Sequence, residues 1–265
     1  MITKCSEKDR ERILDYIGSD YSSCLYLYLD LLKCGLHSDL IEVFVQQDGE
    51  RMTAILLKYY SCLHVYAKDD RFCADELSAF FGGNQFKMLY CTAKTAERVY
   101  AAFSDPQREK ATVTKGWVAQ ITKIDREPKG LAVHAEEQDF PQIASLIYGD
   151  EDIGRSYHFD DLVQQLEERN RQGYARNLVI KQDGKVIAHA CTNAELNNIA
   201  VVAELIVEKN HRGKGYASEI WRDICEKLLE EGKEVYSFYF SEESRNLHQH
   251  VGFFEVCEWA KIVVA

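Results

Sequence analysis

The stretch LIVEKNHRGKGYASEIWRDI, Leu205 to Ile224, joins an apolar run to a helical pattern through a turn rich in glycine and basic residues. Upstream, the segment 199–207 is almost continuously apolar and β-branched and is interrupted only by Glu204, which predicts a strand buried within a sheet. Downstream, apolar residues recur at helical spacing from Ala217 until Gly232 ends the pattern. The stretch therefore predicts a strand, a glycine turn and a helix, in that order.

The predicted turn has the features of an anion-binding site. A helix N-terminus presents unpaired backbone N–H groups and the positive end of the helix dipole. Gly213 and Gly215 allow an anion to approach the backbone closely, and Arg212 and Lys214 add positive charge. The spacing excludes a Walker loop, because Gly215 stands where serine or threonine is needed, and it does not match the dinucleotide fingerprint GxGxxG. An ordinary helix cap with two glycines is the alternative interpretation.

Length and composition narrow the class of protein. A chain of 265 residues is long enough for two domains, and no apolar run approaches the roughly 18 residues of a membrane helix. That absence, with charges in the first residues where a signal peptide would be apolar, predicts a cytoplasmic location. The nine cysteines form no CxxC pair, so we expect reduced, packed thiols and no metal site. Basic and acidic residues number 16 and 18 up to residue 125, then 16 and 25 beyond it. This acidity disfavours a nucleic acid partner and is compatible with an amine partner, with a simple contribution to solubility as the alternative; the lack of a long apolar run predicts no membrane partner.

The chain is predicted to contain two similar halves. Pro128 and Gly130 mark a linker, which predicts domains at residues 1–125 and 130–265. Each half has helical segments followed by a hairpin with an Asp-Gly turn, at Gly49 in the first half and Gly184 in the second. We therefore expect a duplicated α+β fold, in which each half has a mixed, mainly antiparallel sheet flanked by helices.

The segment VEKNHRGKGYA, residues 207–217, resembles the acetyl-coenzyme A signature of the GNAT N-acetyltransferase superfamily, Gln/Arg-x-x-Gly-x-Gly/Ala. Arg212, Gly215 and Ala217 stand at its fixed positions. The later segment SEESRNLHQHVGFFEV, residues 241–256, resembles the family's short helix that ends at a Gly-Phe step, here Gly252. The resemblance covers residues 130–265 and makes the first half a degenerate, GNAT-like copy.

The resemblance implies acetyl transfer from acetyl-coenzyme A to an amine of a small molecule or peptide, by direct attack on the thioester. The turn would hold the pyrophosphate, and the preceding strand would pair with the pantetheine arm, with a strand N–H stabilising the oxyanion. The implied cofactor-binding residues are Leu205, Ile206, Val207, Arg212, Gly213, Lys214, Gly215, Tyr216, Ala217 and Ser244. Ser244 falls at a small-residue position near the cofactor sulfur, with ordinary helix packing as the alternative.

The sequence departs from the family pattern where many members carry a tyrosine that protonates the thiolate. His248 stands at that position, and Ser241 stands where asparagine is common. His248 is therefore the candidate acid, and a histidine without a catalytic role is the alternative.

Glu204, alone in its apolar strand, is the candidate base, since burial would raise its pKa. The alternative is that Glu204 lies on the wetter face or at a bulge and is not the base. Many members of the family use only a water chain for this purpose. Tyr157 and His158 would lie near the acceptor if the family layout holds.

The first half lacks the signature, because Asp69 and Asp70 follow its strand where the glycine turn would be. Two carboxylates would repel a pyrophosphate, so we expect no cofactor there. Three functional classes stay open for the whole chain: an N-acetyltransferase, a non-catalytic sensor that binds acyl-coenzyme A, and a structural or interaction protein. The identity of the acceptor amine and the oligomeric state are not predicted.

Overall fold

The computed structural model describes residues 1–36, 38, 40–84, 86–150, 159–173 and 175–264. The chain divides into two compact units, one of Met1–Val118 with Glu255–Ala265 and one of Ala119–Phe254. The sequence predicted domains at residues 1–125 and 130–265. The structure differs from this at the last strand, which is grouped with the first unit. The reason is pairing: residues 259–263 of that strand run antiparallel to residues 88–92 of the first unit.

The first unit alternates strands and helices. Its elements in chain order are β1 (Ile2–Lys4), α1 (Arg10–Ile17), α2 (Leu25–Cys34), β2 (Ile41–Asp48), β3 (Arg51–Tyr59), β4 (Cys62–Tyr66), α3 (Ala74–Gly83), β5 (Met88–Thr92), α4 (Ala93–Ala101) and α5 (Asp105–Lys110). Then β6 (Ala111–Ile121) crosses the boundary between the units.

The second unit follows the same order. Its elements are β7 (Val133–His134), α6 (Phe140–Tyr148), α7 (Phe159–Arg171), β8 (Asn177–Gln182), β9 (Lys185–Leu196), β10 (Ile199–Val207), α8 (Tyr216–Glu230), β11 (Glu234–Tyr239) and α9 (Glu242–Val251), and β12 (Phe254–Val264) closes the chain. The shared order of strand, two helices, three strands, helix, strand and helix confirms the predicted duplication.

The strands of both units are mainly antiparallel. In the first unit β1-β2-β3-β4-β5-β12 lie in this order, and among their described pairings only that of β4 and β5 is parallel. In the second unit the order is β7-β8-β9-β10-β11, and among the pairings described there only that of β10 and β11 is parallel. The predicted α+β fold is therefore confirmed, with one parallel strand pair at the corresponding place in each unit.

Helices pack on both faces of each sheet. In the second unit, α6 and α7 cover one face through a core that includes Phe140, Ile143, Leu162 and Ile206. The helix α8 contacts β8 to β11, and it buries its apolar stripe, as the helical spacing predicted. The stripe consists of Ile220, Trp221, Ile224 and Leu228. Packing on both faces holds the start of α8 at the end of β10.

Among the described residues, no helix is long and apolar enough to cross a membrane. Within the same ranges, no group of three or more His, Cys, Asp or Glu side chains is arranged to hold a metal ion.

Candidate active site

The turn between β10 and α8 has the backbone of an anion cradle. Gly213 and Gly215 have φ angles of +75° and +86°, a region that side chains with a Cβ rarely adopt. Chain neighbours aside, no described atom lies within 4 Å of the place a Cβ would take at either glycine, so the described residues leave the space in front of the turn open. No described backbone carbonyl accepts a hydrogen bond from the amides of residues 213–218. Amide donors without a described backbone partner, at the start of a 15-residue helix, fit a phosphate group.

The two basic side chains of the turn bind nearby oxygens. Arg212 donates from Nε to the carbonyl oxygen of Val207 at 3.0 Å, and its Nη2 lies 3.3 Å from Oδ2 of Asp150. Lys214 donates from Nζ to the carbonyl oxygen of Asn210 at 3.1 Å. Their positive charge therefore stays beside the open amides.

The strand before the turn separates from its parallel neighbour. The pairing of β10 with β11 covers Ile199–Val202 against Glu234–Ser237, and no described partner on that side follows Val202. Among the described strands, the backbone of residues 203–207 pairs with β9, through Ala203, Ile206 and Val207. Ile206 packs its side chain into the core formed with α6 and α7. A gap between parallel strands suits an extended chain that pairs with backbone groups.

Glu204 occupies a β-bulge in this separated segment. In the register of β10 and β9, Ala203 lies opposite Cys191 and Ile206 opposite His189, so β10 holds one extra residue. Glu204 has a φ of +53°, a left-handed conformation that is rare for a residue with a side chain. The bulge alternative considered from sequence is therefore the observed one.

The surroundings of the Glu204 carboxylate favour its protonated form. Burial raises the pKa of Glu204, although the positive charge of Arg169 and a hydrogen bond from Cys191 act in the opposite direction. The Cys191 Sγ lies 3.5 Å from Oε2 of Glu204. A carboxyl group with a raised pKa beside a strand edge without a described partner is suited to exchange a proton with a ligand.

A cavity of about 480 Å³ adjoins the turn and the end of β10. Its lining combines apolar side chains of Leu146, Val186, Ile206 and Val207 with charged ones of Asp150, Lys185, Glu208 and Arg212. The cavity has the size of a small-molecule site.

The sequence model of the acetyltransferase (GNAT) family matches residues 132–253, which span the turn, the bulge and the cavity. Residues 132–253 belong to the GNAT family of acetyltransferases. The match supports an acyl-coenzyme A dependent acyltransferase in general.

Solved structures share the fold of the whole chain. An acetyltransferase of the GNAT family from Colwellia psychrerythraea is 13% identical, with a TM-score of 0.63 and 100% of both chains covered. A Drosophila protein is 9% identical, with a TM-score of 0.70 over 100% of this chain and 98% of its own. A tandem GNAT protein from the clavulanic acid biosynthesis pathway is 11% identical, with a TM-score of 0.58 over 99% and 97%. No curated protein sequence matches the chain. At these identities the likeness shows a tandem GNAT fold.

His248 of the GNAT domain lies in the core, with 5% of its surface exposed. Its Nδ1 is 2.6 Å from the carbonyl oxygen of Ser244, which can only accept, so Nδ1 carries the proton. Nε2 then accepts from the hydroxyl of Ser237 at 2.8 Å. Burial lowers the pKa of His248 to about 4. The ring is neutral and its N–H is bonded within the core, and these contacts do not favour the acid role of His248, which stays a prediction.

The other residues predicted on this helix have local contacts. Ser241 caps α9, because its Oγ accepts a hydrogen bond from the Ser244 amide at 3.2 Å. The Ser244 hydroxyl lies 3.1 Å from Oγ of Ser241. Its predicted place near the cofactor sulfur stays a prediction. Tyr157 and His158 lie outside the described residues.

Sequence reasoning did not identify two residues of this site. Cys191 was interpreted only as a packed thiol, and Asp150 was not singled out. The strand register that brings Cys191 to the bulge, and the ion pair of Asp150 with Arg212, join residues distant along the chain. No local pattern marks either contact.

The first unit fills the space at its own parallel strand pair. The rings of His64 and Tyr90 stack with centroids 5.1 Å apart, and those of Tyr90 and Trp259 stack at 5.1 Å. The cavity lined by these rings measures about 10 Å³, room for no more than a water. Burial lowers the pKa of His64 to about 4, so this ring is neutral.

The loop after β4 carries paired carboxylates in place of a glycine turn. Asp69 binds Arg71, and Asp70 lies 2.7 Å from Nζ of Lys94. The expectation that the first unit binds no cofactor stays a prediction, and both the stacked rings and these carboxylates support it.

Proposed function

We propose that the chain is an acetyl-coenzyme A dependent N-acetyltransferase that acetylates an amine of a small molecule or peptide by direct attack. The observation that carries this proposal is the open turn at Gly213 and Gly215, with unpaired amides at the start of α8. A pyrophosphate is the anion that such a turn accommodates. Acetyl-coenzyme A would supply the acetyl group as a thioester.

The residues around the turn have separable roles in this proposal. The amides of residues 213–218 would hold the pyrophosphate, with Arg212 and Lys214 adding charge. The backbone of Leu205 to Val207 would bind the pantetheine arm, because its edge has no described partner in β11. The cavity beside Val207 offers apolar surface for the same arm.

Glu204 would act as the general base for the amine. An amine attacks only after it loses the proton of its ammonium form, and a carboxylate with a raised pKa is suited to accept that proton. General base catalysis of this kind contributes roughly 10² to 10⁴ in rate. Since His248 is committed to the core, water or the substrate's own ammonium would supply the proton for the thiolate.

The buried state of His248 also favours a second candidate function, a sensor that binds acyl-coenzyme A without transferring the acyl group. A domain that keeps the cofactor turn but bonds His248 within its core would suit this role. The third candidate, a structural or interaction protein, would not need the open amides of the turn.

Two measurements on the full chain separate these functions. Calorimetry with acetyl-coenzyme A should report one site per chain, because one unit has the glycine turn; absence of binding would support the structural role and overturn the proposal. Release of free thiol with a panel of amines should then exceed hydrolysis without amine. Tight binding with no amine-dependent release would favour the sensor.

A further inference from the structure

The side chains of β9 support the bulge residue Glu204 from one face of the sheet. Cys191 and His189 are two positions apart, so they point to the same face, and they lie opposite Ala203 and Ile206 on the two sides of the bulge. The exposed fractions of Cys191 and His189 are 3% and 0%. The bulge is therefore packed against two buried polar side chains.

Cys191 contacts the carboxylate of Glu204, with Sγ 3.5 Å from Oε2. Burial and the negative charge of Glu204 raise the pKa of Cys191 well above that of an ordinary thiol. The thiol is thus protonated and acts as the donor in this contact.

His189 lies against the backbone of Glu204, and its Nε2 is 3.0 Å from Oδ1 of Asn177. Burial lowers the pKa of His189 to about 3, so the ring adds no positive charge to the site. From α7, Arg169 brings a positive charge toward Glu204 and binds Oδ1 of Asn193 at 3.3 Å. Arg169, Cys191 and His189 are the titratable groups described around Glu204.

We propose that Cys191 is a positioning residue, whose buried thiol donates a hydrogen bond that fixes the carboxylate of Glu204 beside the bulge. A strained backbone places the carboxylate, and the thiol limits its rotation. The catalytic meaning of this contact rests on the proposed function, in which Glu204 is the base. The contact itself can be tested without any acyl transfer.

The test compares Cys191→Ala, which removes the donor, with Cys191→Ser, which offers a stronger one. The control is Cys225→Ala, which removes another fully buried thiol of the same domain, from α8. The pKa of Glu204 is measured in the full chain by NMR titration of ¹³C-labelled glutamate carboxyl groups. The resonance of Glu204 is identified by its loss in Glu204→Gln.

We expect the pKa of Glu204 to rise by roughly half a pH unit or more in Cys191→Ala, because a hydrogen bond to the charged form is lost. In Cys191→Ser the pKa of Glu204 should lie at or below the wild-type value, and in Cys225→Ala the pKa of Glu204 should be unchanged. In the proposed reaction, the acid limb of the kcat/KM profile should move in the same direction, with KM for acetyl-coenzyme A unchanged.

An unchanged pKa of Glu204 in Cys191→Ala would overturn the proposal, and so would an equal rise in Cys225→Ala. Should Cys191→Ala not fold, Cys191→Ser decides, because a raised pKa in that variant contradicts a donor role. If the pKa moves as expected but no amine is acetylated, the positioning role stands and the proposed enzymatic function fails.

Discussion

Arg222 of α8 has a fully buried side chain that binds the Asp125 carboxylate through two hydrogen bonds, from Nε at 2.6 Å and from Nη2 at 2.9 Å. The same helix holds the following segment, because Glu219 binds Arg126 and accepts from the amide of Lys129 at 3.1 Å. Residues 125–129 are thereby fixed along the helix whose first turn forms the anion cradle. The segment that sequence predicted as a linker is an integral part of the second unit.

Removing the Asp125 carboxylate should destabilise the GNAT domain. Asp125→Ala leaves the buried guanidinium of Arg222 with only a longer contact to Glu219, at 3.4 Å, so we expect a loss of about 2–4 kcal/mol in the free energy of unfolding. The control is Asp105→Ala, which breaks an exposed pair with Arg108 and should cost less than about 1 kcal/mol. Denaturant titration measures the free energy of unfolding of both variants. Equal losses would show that the buried pair of Asp125 stabilises the protein no more than the exposed pair of Asp105.

Changing Gly215 should abolish cofactor binding while the fold persists. Gly215→Val places a β-branched side chain in the open space before the amides, so affinity for acetyl-coenzyme A should fall by about 10² or more. The matched control is Gly184→Val, at a hairpin glycine with a φ of +76° and equally open surroundings. Both variants carry the same backbone strain, so calorimetry should find binding in the control alone. Retained binding in a folded Gly215→Val protein would place the pyrophosphate elsewhere.

Removing the charge of Glu204 should slow acetyl transfer at its chemical step. Glu204→Gln should lower kcat by about 10², with affinity for acetyl-coenzyme A nearly unchanged. Because the base must be deprotonated, wild-type activity should rise with pH through the raised pKa of Glu204, above the ordinary glutamate range. Glu230→Gln, at the exposed end of α8, is the control. A pH profile of thiol release that keeps its acid limb in Glu204→Gln would remove Glu204 from the mechanism.

His248 should matter for stability and little for turnover. His248→Ala leaves a cavity and the Ser237 hydroxyl without its partner, so we expect a loss of about 2–4 kcal/mol in unfolding free energy. The rate per folded molecule, from thiol release at saturating acetyl-coenzyme A, should change less than about threefold. A fall of about 10² in that rate would restore the acid role.

The same histidine gives stability a pH dependence with a definite sign. Its folded pKa, about 4, lies below the unfolded value of 6.5, so the unfolded chain takes up the proton first as pH falls. The contribution of neutral His248 to the free energy of unfolding is complete above pH 6.5. It is lost as pH falls toward 4, and the free energy of unfolding then falls by about 1.4 kcal/mol per pH unit. His248→Phe, which cannot titrate, should remove this part of the slope.

Some features were predictable because neighbours along the chain determine them. The glycines of the turn, the apolar strand before it and the helical spacing after it form one continuous segment, so local backbone preference and hydrophobic periodicity were sufficient. The Asp-Gly turns at Gly49 and Gly184 likewise marked both hairpins, and with them the duplicated fold.

Other features depend on residues that meet only after folding. His248 was placed at a catalytic position by counting along the sequence. In the fold, surrounding rings bury it, Ser237 of β11 bonds its Nε2, and the Ser244 carbonyl oxygen of its own helix bonds Nδ1. The donor to Glu204 comes from Cys191, and the last strand pairs with β5 of the first unit; both follow from sheet register. Burial and register are sums over contacts between distant segments, so no window of the sequence contains the information that decides the protonation of these side chains.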